Sequence, residues 1–232
     1  MNKCFKLTGL AAAGLLAMAP LLGVAAAAEA VGPECGGFTL QLATQLGYDI
    51  HEGTSAADQL GDLDATADWV MGKGGNDQIA TGPGNDIICG GADADTIDSG
   101  GGHDDVFGNS GEDSIALGDG IDYAEGGAHP DTVYGEGDDD TLYGDNQLSS
   151  PVAGVNVLDG GPGDDQLVGG ASSDTLRGGP GDDTLSGQDG NDFLFGGSGL
   201  DALTGGNNID DGDGGGGEID LLCDVENPVD CP

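Results

Sequence analysis

An aspartate recurs every nine residues over most of the chain, and two positions beyond each one except the last stands an apolar side chain. The first run is Asp68, Asp77, Asp86, Asp95, Asp104, Asp113, Asp122, Asp131 and Asp140. A second run, Asp165, Asp174, Asp183, Asp192, Asp201 and Asp210, has Asn156 one period ahead of it. The apolar partners are Val70, Ile79, Ile88, Ile97, Val106, Ile115, Ala124, Val133 and Leu142, then Leu158, Leu167, Leu176, Leu185, Leu194 and Leu203. One apolar residue between two polar ones predicts a short half-buried strand, because successive side chains of an extended chain point to opposite faces. Between the strands lie glycine-rich stretches such as Gly90-Gly91, Gly160-Gly161, Gly178-Gly179 and Gly196-Gly197. Glycine belongs where the backbone must take positive φ or approach a ligand closely, so these stretches are turns. The unit is G-G-x-G-x-D-x-U-x, with U the inward apolar residue, and a fixed period of this kind signals a repeat architecture.

The unit resembles the RTX, or haemolysin-type calcium-binding, nonapeptide repeat. The resemblance covers about residues 53–210 and is closest from Asp77 to Asp95 (DQIATGPGNDIICGGADAD) and from Asp183 to Asp201 (DTLSGQDGNDFLFGGSGLD). It implies an all-β fold, a right-handed parallel β-roll (a β-solenoid) with two nonapeptides per coil and small terminal caps. Residues eighteen apart would then stack, with Ca²⁺ held between facing turns by Asp carboxylates and backbone carbonyls. The implied ligands form two edges. Asp77, Asp95, Asp113 and Asp131 line one, and Asp68, Asp86, Asp104, Asp122 and Asp140 the other. In the second run Asp165, Asp183 and Asp201 face one way, and Asp174, Asp192 and Asp210 face the other with Asn156. An all-oxygen donor set suits Ca²⁺ rather than soft metals. Asp93, His129 and Ser172 replace the third glycine of their turns, which are expected to bind weakly or not at all.

Composition narrows the partners. Gly makes up 49 of 232 residues, Asp and Glu 43, Lys and Arg 4, for a net charge of −39. Collagen would need glycine at every third residue, and disorder enriches residues without locking them into register. A polyanion makes poor contact with nucleic-acid phosphates and is repelled by anionic membranes; its natural partners are cations. Like charges stacked about 5 Å apart repel by about 3 kcal/mol per pair at an effective dielectric near 20. The roll is therefore expected to fold as metal binds, so that binding energy becomes folding energy.

The ends read differently. Residues 1–28 have a Lys3/Lys6 start, an apolar Leu7–Val24 stretch and a small-residue end, the pattern of a signal peptide. A secreted, extracellular protein exported by a Sec-type route follows, with the periplasm also open, and the mature chain is not expected to span a membrane. Residues 29–52 form an N-terminal cap, in which the alternating Phe38, Leu40 and Leu42 read as the start of a strand and Leu40–Leu46 reads equally as a short helix. The first array spans 53–144, with a degenerate first repeat GTSAADQLG at 53–61 and one inserted residue before Asp68. Residues 145–155 interrupt it. The step from Asp140 to Asn156 is sixteen, two short of a full coil. We read a register-shifting loop within one continuous roll, with two separate rolls as the alternative. The second array spans 156–213, and 214–232 form a C-terminal cap. With Cys4 removed, Cys35, Cys89, Cys223 and Cys231 suggest two disulfides; of the three possible pairings, the short spacing of Cys223 and Cys231 favours Cys223–Cys231 with Cys35–Cys89, and there is no C-x-x-C to suggest thiolate zinc.

Catalysis is not indicated. His51, His103 and His129 read as exposed turn residues without a nucleophile at motif spacing. Trp69, Tyr123, Tyr134 and Tyr143 fall at outward strand positions. The function expected is therefore a non-enzymatic secreted calcium-binding protein with a structural, buffering or surface-associated role. The alternative is an extracellular carbohydrate-active enzyme or adhesin using an outer face of the roll.

Overall fold

The computed structural model describes residues 40–145, 153–215, 221–223 and 227–228. Successive strands alternate between two parallel sheets. One runs Asp49–Glu52, Asp68–Met71, Ile87–Ala92, Asp105–Ser110, Tyr123–Ala128, Thr141–Asp145, Gln166–Gly170, Thr184–Asp189, Ala202–Asn207 and Leu221–Cys223. The other runs Gln59–Leu60, Gln78–Ala80, Thr96–Asp98, Ser114–Asp119, Thr132–Gly137, Val157–Asp159, Thr175–Pro180, Phe193–Ser198, Asp211–Gly215 and Asn227–Pro228. Each neighbour in a sheet lies one coil away, so the array is a parallel β-roll. Ile115 pairs with Val133 and Leu185 with Leu203, both eighteen apart.

This period stacks every U residue. Val70, Ile88, Val106, Ala124, Leu142, Leu167, Leu185 and Leu203 come from one sheet. Ile79, Ile97, Ile115, Val133, Leu158, Leu176 and Leu194 come from the other, and all join one buried cluster. Ala124 lies in that column as its smallest member. Burying a Leu or Ile side chain contributes about 1.5–3 kcal/mol, and the sheets leave no other place for these residues to go.

The interruption does not divide the roll. Val133 pairs with Leu158 and Leu142 with Leu167, each twenty-five residues apart. The sixteen-residue step is thus a nine-residue half coil carrying seven extra residues, not a full coil missing two. The sheet register of the inward column is unchanged, so the expected register shift does not occur. A smaller excess occurs near the start, where Asp49 aligns with Asp68 and Leu60 with Ile79 across nineteen residues. Beyond Asp210 the repeat is lost in sequence, yet Asp211–Gly215 pairs with Phe193–Ser198 and Gly212 takes the place opposite Leu194.

Leu40–Leu46 is an α-helix. Its Ala43 packs with Trp69 and Ile87, flanked by Tyr48, Ile50 and Met71. Trp69 is therefore 1% exposed, correcting its expected exposure: it does leave the roll interior, but the cap covers that face. Among the described residues no helix is long and apolar enough to cross a membrane.

Candidate metal centre

Each repeat aspartate stands where a turn becomes a strand, and the eighteen-residue stacking brings these aspartates into two columns. In one, the backbone N–H of Asp68 donates to Oδ1 of Asp86 (2.8 Å). Asp86 donates likewise to Asp104, Asp104 to Asp122, and Asp122 to Asp140. Asp140 donates to Asp165 across the interruption, then Asp165 to Asp183 and Asp183 to Asp201. The second column runs Asp77, Asp95, Asp113, Asp131, Asn156, Asp174, Asp192 and Asp210, with the same bond at 2.7–3.0 Å. All the expected ligand aspartates thus enter one column or the other, and each is buried. Asp58, half-buried, begins the second column by donating to Asp77.

The second oxygen is treated differently. Oδ2 of Asp77, Asp86, Asp95, Asp104, Asp113, Asp122, Asp131, Asp140, Asp165, Asp174, Asp183, Asp192 and Asp210 is buried without a hydrogen-bond partner. A buried charge without compensation is strongly disfavoured. Burial accordingly pushes Asp131 and Asp140 up to about 8, and Asp95, Asp104, Asp165 and Asp174 to about 7. Asp113, Asp122, Asp183 and Asp192 rise to about 6 for the same reason. In all ten the ladder N–H opposes the rise, and for most of them the neighbouring carboxylates of the column add to it.

Glycine keeps the space beside these oxygens open. A Cβ on Gly178 would lie 2.2 Å from Oδ2 of Asp183 and 2.6 Å from the carbonyl oxygen of Gly196. The corresponding Cβ on Gly187 would lie 2.2 Å from Asp192 Oδ2 and 2.7 Å from the Gly205 carbonyl. Carboxylate and carbonyl oxygens therefore border the same small space. That donor set fits a hard divalent cation such as Ca²⁺. The ion would neutralise the columns and satisfy the oxygens that have no donor.

Three turns differ in a way the third-glycine comparison did not detect. Thr81, Ser99 and Leu117 occupy the first-glycine place before Asp86, Asp104 and Asp122, and all three are fully buried. The Thr81 hydroxyl donates to the Ser99 carbonyl and the Ser99 hydroxyl to the Leu117 carbonyl, both at 2.9 Å. Their side chains fill part of the space that glycine leaves open elsewhere. The sequence signal was present: three non-glycine residues at that place, eighteen apart. At the third-glycine place Asp93 and His129 take φ of 74° and 84°, so those turns keep a left-handed backbone. Asp145 was also overlooked. Its carboxylate accepts from Ala171 N, Gly154 N and Asn156 Nδ2, joining the end of the interruption to the second column.

The histidines are not all exposed turn residues. His103 and His129 are exposed, and His103 Nδ1 lies 3.1 Å from Ile121 N. His51, by contrast, is half-buried on the strand Asp49–Glu52, with Nε2 3.4 Å from Asp68 Oδ1. On the outer surface the rings of Phe107, Tyr123 and Tyr143 stand in a row at 5.9 and 5.6 Å, and the Tyr123 hydroxyl donates to Glu125. Tyr134 is exposed. Cys35 and Cys231 of the expected disulfides lie outside the described residues, as does the expected signal peptide.

The model of one protein family, the RTX calcium-binding nonapeptide repeat (4 copies), matches residues 64–97, 90–115, 117–147, 152–185, 168–203 and 177–211, more than half of the chain. No curated protein matches it.

Proposed function

Since the chain belongs to the RTX calcium-binding nonapeptide repeat family, we propose that it is a secreted protein whose roll forms as Ca²⁺ binds, with an extracellular structural, buffering or surface-associated role. The observation that carries this reading is the pair of buried carboxylate columns, in which aspartates such as Asp104, Asp140 and Asp183 have one oxygen held by the ladder and the other lacking a donor. Ca²⁺ would supply positive charge to both columns. The residues that would hold it are the column aspartates and the turn carbonyls beside them. Following far-UV circular dichroism while Ca²⁺ is returned to chelated protein tests the reading. It expects β structure to appear with the metal; a β-rich spectrum in chelator at neutral pH that calcium leaves unchanged would overturn it.

Export through an N-terminal signal, cleavage after Ala28 and a Cys35–Cys89 disulfide belong to the same proposal. Buried Cys89 in the strand Ile87–Ala92 is consistent with a bond that ties the cap to the roll. Mass spectrometry of the exported, unreduced protein reads both features. The role proposed is binding rather than catalysis, because the repeat assigns one member of each acidic pair, such as Asp164-Asp165, to a column. A second reading, a glycan-binding outer face, is motivated by Phe107, Tyr123 and Tyr143. The first is favoured because these rings tilt by 50–52° against each other instead of forming a flat platform, and the Tyr123 hydroxyl is already engaged.

A further inference from the structure

We propose that the N-terminal end of the roll holds a metal site of a different kind, in which His51, Asp62 and Asp68 bind one divalent transition metal of the zinc type. Asp68 is then the ligand of this end site rather than an ordinary member of the calcium column.

The argument begins with where the first column starts. Every later member accepts, on Oδ1, the N–H of the aspartate one coil earlier. The residue aligned one coil before Asp68 is Asp49. Its N–H donates instead to the Ala67 carbonyl, at 2.9 Å. Both carboxylate oxygens of Asp68 are consequently left without a hydrogen-bond donor, although the residue is 0% exposed. No other column member has both oxygens in that state.

His51 stands beside this opening because of the same register. It aligns with Val70, so an imidazole occupies the end of the inward apolar column where the repeat would place a branched aliphatic residue. Its Nε2 is buried and makes no hydrogen bond. It lies 3.4 Å from Asp68 Oδ1 and 3.8 Å from Asp62 Oδ2. The ligand atoms of all three residues lie within 4.8 Å of one another. Asp62 reaches the cluster from the segment between Gln59–Leu60 and Asp68–Met71, and its side chain is 44% exposed.

The spacing fits coordination. With metal–ligand bonds of about 2.1 Å, the edge of a tetrahedron is about 3.4 Å, the separation found between His51 and Asp68. Octahedral Ca²⁺ would give a similar edge, so donor type rather than distance selects the metal. Ca²⁺ takes oxygen, whereas imidazole with carboxylate suits zinc and its neighbours. Three protein ligands leave one tetrahedral position for water.

The test uses the full chain with its calcium sites saturated, so that added metal reports only sites Ca²⁺ does not fill. Zn²⁺ is titrated calorimetrically, and Co²⁺ serves as a visible-absorption probe of geometry. The expected result is one Zn²⁺ per chain and an intense tetrahedral Co²⁺ band. Both should vanish in His51→Gln and in Asp68→Asn, while circular dichroism and the calcium titration of His51→Gln stay as in the wild type. Asp68→Asn keeps the N–H donated to Asp86, so it need not break the ladder and serves as the second variant. The proposal is overturned if calcium-saturated wild type takes up no zinc. It is equally overturned if His51→Gln, folded, binds zinc as the wild type does; His51 would then be only an ion-pair partner of Asp68.

Discussion

Replacing Asp183 by asparagine or by alanine separates the two tasks of a column carboxylate. Asp183 is buried; its Oδ1 accepts the N–H of Asp165 at 2.9 Å, and its Oδ2 has no donor. Asparagine keeps the first contact, as Asn156 does naturally when it accepts from Asp131 at 2.9 Å. It removes the charge and replaces one oxygen by an NH₂ group. Asp183→Asn should therefore leave the ladder intact but weaken calcium binding at the adjoining turns. A contact to a charged group contributes about 1.5–3 kcal/mol, which corresponds to an affinity loss on the order of ten- to a hundredfold. Alanine removes the ladder acceptor as well. An unsatisfied Asp165 N–H adds a cost of about 1–3 kcal/mol. Urea unfolding at saturating Ca²⁺, with calcium titrations of both variants, measures the two effects separately. The expected order of stability is wild type, Asp183→Asn, Asp183→Ala. The reasoning fails if asparagine binds calcium as the wild type does, or if the two variants are equally destabilised.

Acidity should act in opposite senses with and without metal. Column aspartates such as Asp95, Asp131, Asp140 and Asp183 rise from an ordinary 3.8 to about 6–8 in the fold, so the folded chain holds protons more tightly than the unfolded one. In chelator, stability from this source is fully present below about pH 4 and is lost as pH climbs to about 8; circular dichroism at the two extremes should show more β structure in acid. Calcium needs the ionised form, so its titration midpoint should move to lower concentration across pH 6–8. Gly178→Ala places a Cβ 2.2 Å from Asp183 Oδ2 and should weaken calcium binding at that turn by calorimetry, whereas the exposed Ser198→Ala should not. Leu185→Ala, in the buried column, should cost about 2–5 kcal/mol and raise the calcium concentration needed for folding.

Much of this architecture is legible because a nine-residue period is local information. A strand triplet and a glycine turn recur in register, so the inward residues from Val70 to Leu203 follow from counting, and the two aspartate edges of each run follow once the resemblance supplies two units per coil. The sixteen-residue step misled because only the stacked coil shows which residues are surplus: Val133 opposite Leu158 identifies seven extra residues on a half coil.

The sequence by itself determined the nine-residue repeat, through its spacing, and by resemblance to the RTX repeat it implied the parallel roll and the acidic residues brought to its edges. Tertiary structure alone decided what each side chain meets one coil away or across the cap. It buried Trp69 under the Leu40–Leu46 helix, although strand alternation places that residue outside the roll. It put Thr81, Ser99 and Leu117 into space that other turns keep open. It also left Asp68 at the end of a column with His51 beside it, because Asp49, one coil earlier, gives its N–H to the Ala67 carbonyl and not to the Asp68 carboxylate.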